Sequence, residues 1–136
     1  MEGSDAQSHF DLGQAFKEMG LFDEAINEFR QASKDQSRRV ECLIMQCACL
    51  RERGETEKAI SMLLALLKPG LSVEEICAVK YELATGYEAA GKKEDASSIL
   101  NEINAAMPGF RDISSRLRAA DISESLDFSD DDFKDF

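Results

Sequence analysis

The stretch Leu12-Gly13-x-x-Phe16-x-x-x-Gly20-x-Phe22-x-x-Ala25-x-x-x-Phe29-x-x-Ala32 decides the fold, because its order of small, bulky, glycine, alanine and bulky residues returns twice along the 136-residue chain. In the second copy the matching residues are Gln46, Cys47, Leu50, Gly54, Thr56, Ala59, Leu63 and Leu66. In the third they are Leu83, Ala84, Tyr87, Gly91, Lys93, Ala96, Leu100 and Ile103. Within each copy apolar residues recur at spacings of three and four, the stripe of an amphipathic helix that needs a partner. Gly13, Cys47 and Ala84, with Ala25, Ala59 and Ala96, let two helices approach closely, and Phe16, Leu50 and Tyr87 fill the volume between them. Gly20, Gly54 and Gly91 stand where the first helix of each pair must stop, in a conformation that only glycine enters cheaply. Ser4 with Gln7 and Ser72 with Glu75 have the spacing of capping boxes and mark helix starts.

This pattern resembles the tetratricopeptide repeat, a 34-residue helix-turn-helix unit. The copies span about 6–39, 40–73 and 77–110, and the longer step before the third falls at Pro69-Gly70-Leu71, which cannot continue a helix. Gln46, Thr56 and Lys93 depart from the family pattern. After Pro108-Gly109, apolar residues at intervals of three and four (Phe110, Ile113, Leu117, Ala120) predict a seventh helix over 110–120 that caps the stack. The expected fold is all-α: three repeats plus a capping helix in a domain of residues 1–120. The resemblance implies a right-handed α-solenoid with a concave groove.

In such domains the first helix of each pair lines the groove, through positions whose offsets share one helix side. Carried over, those positions are Gln7, Phe10, Gln14 and Lys17 in repeat one, Glu41, Ile44, Ala48 and Arg51 in repeat two, and Ala78, Tyr81, Thr85 and Glu88 in repeat three. An apolar strip with Phe10, Ile44 and Tyr81 as anchors, bordered by Lys17 and Arg51, is the expectation for a peptide or helix site. Relatives that bind chaperones clamp a C-terminal carboxylate with Lys, Asn and basic side chains. The corresponding positions here are Phe10, Gln14, Met45, Ala78 and Glu82, so the resemblance implies no such clamp.

Residues 121–136 form an acidic tail, with seven acids and one lysine, expected to be disordered when free. Leu126, Phe128, Phe133 and Phe136 interleave with the acids, the composition of a short recognition segment that could dock in a basic-edged apolar groove, this protein's own or a partner's. The whole chain carries 16 basic and 27 acidic residues, a net charge of -11 that repels nucleic acid and anionic membrane surfaces. No apolar run approaches the roughly 18 residues that span a bilayer, and Met1-Glu2-Gly3-Ser4-Asp5 has no signal-peptide character, so a cytoplasmic protein is expected.

Catalysis has little to stand on in this sequence. His9, the only histidine, occupies a helix-packing position. Cys42, Cys47, Cys49 and Cys77 lack metal-ligand spacing and read as reduced, packed thiols, so neither a metal nor another cofactor is expected. The expected function is noncatalytic binding of a protein or peptide in the groove. The strings from His9 to Phe29 and from Gly109 to Ile113 are similar to repeat modules of larger bacterial proteins that organise type IV pili or cell polarity, some through a small Ras-like GTPase. Two alternatives stand beside that reading: a type III secretion chaperone, and a self-associating scaffold whose tail docks in a repeat groove.

Overall fold

The computed structural model describes residues 2–122, which contain helices and no strand. They form α1 (Glu2–Glu18), α2 (Phe22–Ala32), α3 (Arg39–Glu52), α4 (Thr56–Leu66), α5 (Val73–Ala89) and α6 (Lys93–Ala106), with a single 3₁₀ turn at Gln36–Arg38 before α3. A further helix, α7, runs over 113–122. Leu126, Phe128, Phe133 and Phe136, and with them the expectations placed on the tail, lie outside the described residues.

The glycines end the first helix of each pair as the repeat pattern requires. Gly20, Gly54 and Gly91 have φ of 79°, 101° and 78°. In each case the residue after the glycine donates its amide back across the turn: Leu21 to the Phe16 carbonyl at 2.9 Å, Glu55 to Leu50 at 2.8 Å and Lys92 to Tyr87 at 2.8 Å. The last turns of α1, α3 and α5 thus share the same pattern of capped carbonyls.

Packing follows chain order. α1 lies against α2, α3 against α4 and α5 against α6, while α2–α3, α4–α5 and α3–α5 contacts stack one hairpin on the next. Phe29 fills the first hairpin together with Phe10, Ala25 and Ala32. Leu63 and Leu83 hold the centre of the stack with Cys47, Ala59 and Val79. Leu100 and Ile103 meet Ile113 of α7 in a third cluster with Cys77 and Ala84.

Two helix entries differ in outcome. Ser72 accepts a hydrogen bond from the Glu75 amide at 3.0 Å, and the Glu75 carboxylate accepts one from the Ser72 amide at 2.9 Å. This box starts α5 at Val73, four residues ahead of the expected repeat boundary. The box expected at Ser4 and Gln7 does not set a helix start, because α1 already runs from Glu2. The Gln7 amide donates instead to Asp11 at 2.8 Å, and its oxygen accepts a hydrogen bond from Arg38 of the next hairpin.

Candidate functional site

The first helices of the three hairpins share one cavity of about 570 Å³. Of the residues the sequence nominated, Phe10, Gln14, Glu41, Ile44, Ala78 and Tyr81 line it, drawn from α1, α3 and α5. The five clamp positions, Phe10, Gln14, Met45, Ala78 and Glu82, also lie along its wall. None of them carries a cation.

Two expected anchors are less open than the sequence suggests. Phe10 is only 7% exposed. Its ring meets Phe29 edge-on at 5.5 Å, and the Arg38 guanidinium covers it at 5.1 Å. The cause is Gly13, one turn further along α1, whose missing side chain leaves the space that Phe29 occupies on its way to Phe10. Tyr81 is half-buried by the segment leading into α7: Phe110 packs edge-on at 6.1 Å, and Arg111 and Arg116 stack on its ring at 4.9 and 4.6 Å. Its hydroxyl donates to Asp112. Burial, and then the Asp112 carboxylate, push the phenol above its ordinary pKa.

The expected basic border is engaged in ion pairs within the stack. Lys17 pairs with Glu52 at 2.6 Å and Arg51 with Glu82 at 2.7 Å, each pair bridging neighbouring hairpins. Glu88 is held by Arg116 at 2.6 Å, Thr85 donates to the Tyr81 carbonyl at 3.1 Å, and Ala48 is buried. Gln7, Lys17, Ala48, Arg51, Thr85 and Glu88 therefore stand outside the cavity. What borders it is acidic: Glu41, Glu74, Glu75 and Glu82 against the single cation Arg111.

Several lining residues escaped the sequence reading. Glu74 and Glu75 stand in the first turn of α5, which the Ser72 cap starts at Val73, and that turn lines the groove. Phe110 and Arg111 belong to the segment expected as the cap, and Met107 to the end of the third repeat. Their signal was the Pro108-Gly109 break, which turns the chain back toward α5; Arg111, at a φ of 45°, completes that turn.

The catalytic candidates fall elsewhere. His9 Nδ1 hydrogen-bonds Glu28 Oε2 at 2.6 Å, linking α1 to α2. The four cysteines are buried and unpaired, and they are spread over the three core clusters. Burial pushes the Cys47 thiol up to about 12 and those of Cys42 and Cys49 up to about 11, and raises Cys77 as well. These neutral thiols add stability below pH 9, the ordinary value at which they ionise once unfolded, and that contribution is lost as pH climbs toward 12. Denaturation midpoints should hold steady from pH 7 to 8.5 and fall above 9, and an aromatic disulfide reagent at pH 8 should label the thiols only on unfolding. Fast labelling of the native protein would contradict this burial.

No protein-family model matches the sequence, and no curated protein matches it. Solved structures do resemble this fold. The TPR2AB domain of yeast Sti1, in a complex with pHSP90, superposes with a TM-score of 0.79 at 23% identity over 94% of this chain and 50% of that one. This chain thus spans about half the length of the Sti1 structure. The first TPR of Spaghetti (RPAP3), bound to the HSP90 peptide SRMEEVD, gives 0.67 at 14% identity, over 90% of this chain and 95% of that one. A Podospora anserina kinesin light chain with nearly identical TPR-like repeats gives 0.70 at 19% identity, over 92% and 69%. The chain has the tetratricopeptide-repeat fold.

Proposed function

We propose that this chain is a noncatalytic protein-interaction module whose concave groove takes a peptide segment carrying an apolar side chain flanked by Lys or Arg. The observation that supports it is the groove's make-up: Ile44, Met45 and Ala78 along its wall, with Glu41, Glu74 and Glu75 at its edge. An apolar side chain seated on that wall would supply affinity, and the carboxylates would orient a basic flank and repel an acidic one. Two of the fold neighbours are described with HSP90 or its SRMEEVD peptide. That acidic ligand class fits this groove poorly, because Phe10, Gln14, Met45, Ala78 and Glu82 stand at the positions of the cationic clamp. For the same reason the groove is a poor dock for the acidic tail. A pilus or polarity setting, a Ras-like GTPase partner and a secretion-chaperone role draw no support from the geometry, and peptide binding is the reading carried forward.

The test is a random-peptide display selection on the full chain, followed by affinity measurement of the best binder. Enriched sequences should pair Lys or Arg with an apolar residue, and SRMEEVD should bind at least tenfold more weakly than the best binder. Ile44→Glu and, separately, Glu41→Lys/Glu74→Lys should each weaken that binder by about tenfold or more, equivalent to about 1.4 kcal/mol. Enrichment of acidic sequences, or binding indifferent to both variants, would refute the reading.

A further inference from the structure

On the other side of α3 lies a second cleft, of about 350 Å³, between α2 and α4. Its apolar surface comes from Ile26, Leu50 and Met62, and its charged residues are Arg30, Arg53 and Lys58 against Asp23. Arg53 is occupied, bonded to both Asp23 and Glu55. Arg30 and Lys58 are exposed, and their side chains have no partner among the described residues. In a chain of net charge -11 this is a local excess of positive charge.

The informative residue is Gln46. It stands where the third repeat has Leu83, a fully buried side chain, and it is itself only 6% exposed, the one buried polar residue of the described core. It lines the cleft, and because no buried side-chain nitrogen or oxygen among the described residues lacks a partner, its amide, which makes no hydrogen bond there, reaches the cleft surface. Its amide N–H groups are therefore open to donate to an occupant of the cleft, and the exposed cations Arg30 and Lys58 favour an anionic one.

We propose that the cleft between α2 and α4 binds the acidic, aromatic segment 123–136 of the same chain. That segment carries six carboxylates and one lysine, with Leu126 and three phenylalanines among them. A carboxylate accepts a hydrogen bond from the Gln46 amide, further carboxylates pair with Arg30 and Lys58, and one apolar side chain covers Ile26, Leu50 and Met62. Fourteen residues extend over about 45–50 Å, against a radius of gyration of about 14 Å for a compact domain of this length, so the reach is ample. Covalent attachment keeps the segment at a millimolar effective concentration, enough for a modest site to be filled. The concave groove, bordered by Glu41, Glu74 and Glu75, excludes the same segment by like charge.

The test is solution NMR on the full chain, following the Gln46 side-chain amide and the Met62 methyl group. Phe128→Ala/Phe133→Ala/Phe136→Ala alters only the segment outside the described fold. Arg30→Glu/Lys58→Glu alters only exposed side chains of the cleft. Both variants should move the two Gln46 amide resonances and the Met62 methyl in the same direction, by more than a linewidth. Raising NaCl to 0.5 M should move the wild-type signals the same way, since salt screens exposed charge pairs. Gln14, in the concave groove, should not respond to the tail variant. Unmoved Gln46 and Met62 signals would overturn the proposal. So would movement at Gln14 and Ile44 instead, which would put the tail in the groove, or dependence on protein concentration, which would put it on a second copy. None of these outcomes depends on which peptide the concave groove selects.

Discussion

Phe29→Ala should lower the free energy of unfolding by about 3–5 kcal/mol, the range for removing a fully buried aromatic side chain. Phe29 has no solvent exposure, and its ring fills the hollow left by Gly13, where an added Cβ would meet ring atoms at 2.7 to 2.9 Å. The two residues are therefore one packing unit. Gly13→Ala alone gains up to about 1 kcal/mol of helix propensity but forces a core ring to move, which costs typically about 1–3 kcal/mol, so the net change should be destabilising. In the Phe29→Ala background the obstruction is gone, and the same Gly13→Ala should stabilise. Urea denaturation of the four proteins of this cycle gives the coupling directly. A Gly13→Ala effect of equal sign in both backgrounds would show that the ring and the glycine are energetically independent, contrary to the packing described.

Ile113→Asp should release α7 from the stack. Ile113 has no exposed surface, and it sits among Cys77, Ala84, Leu100 and Ile103. Placing a carboxylate there removes about 1.5–3 kcal/mol of apolar burial and adds the larger penalty of an unpaired charge in an apolar site. Detachment of the helix is the cheaper outcome. Tyr81 would then lose its bond to Asp112 and its stacking on Arg116, and the Glu88–Arg116 pair would open. Hydrogen exchange should rise sharply over 113–122 while α1 and α2 stay protected. Sedimentation should show association, because Leu100 and Ile103 would face solvent without cover. Unchanged protection of 113–122 would mean that α7 is held by contacts other than Ile113.

Both predictions rest on features at the limit of what the sequence discloses. The hairpins were legible because helix amphipathicity and glycine termination are local: Gly20, Gly54 and Gly91 announce the same turn wherever they stand in the repeat. The burial of Phe10 was not, because it depends on Phe29, nineteen residues away, reaching through a gap defined by Gly13. A helix wheel shows which side a residue is on and leaves open whether a neighbour from another helix has already filled the space above it.

Charge misled the reading more than hydrophobicity did. Lys17 and Arg51 lie on the expected helix side, but Glu52 and Glu82, each from the next hairpin, take them up. Long charged side chains reach several ångströms, so their partners depend on how the helices are stacked. Gln46 was visible as a departure from the repeat pattern, yet nothing in the one-dimensional pattern said that its amide lines a cleft flanked by Arg30 and Lys58.

The sequence by itself determined the helical hairpins, their stop signals and which faces are apolar, because each of these follows from spacing within a single helix or turn. Only the tertiary structure decided which apolar residues remain open to a ligand, that the groove is edged by carboxylates, and that the Gln46 amide opens onto a cleft on the opposite side of α3. Those properties are set by side chains from different repeats meeting across the stack, at separations that no local periodicity records.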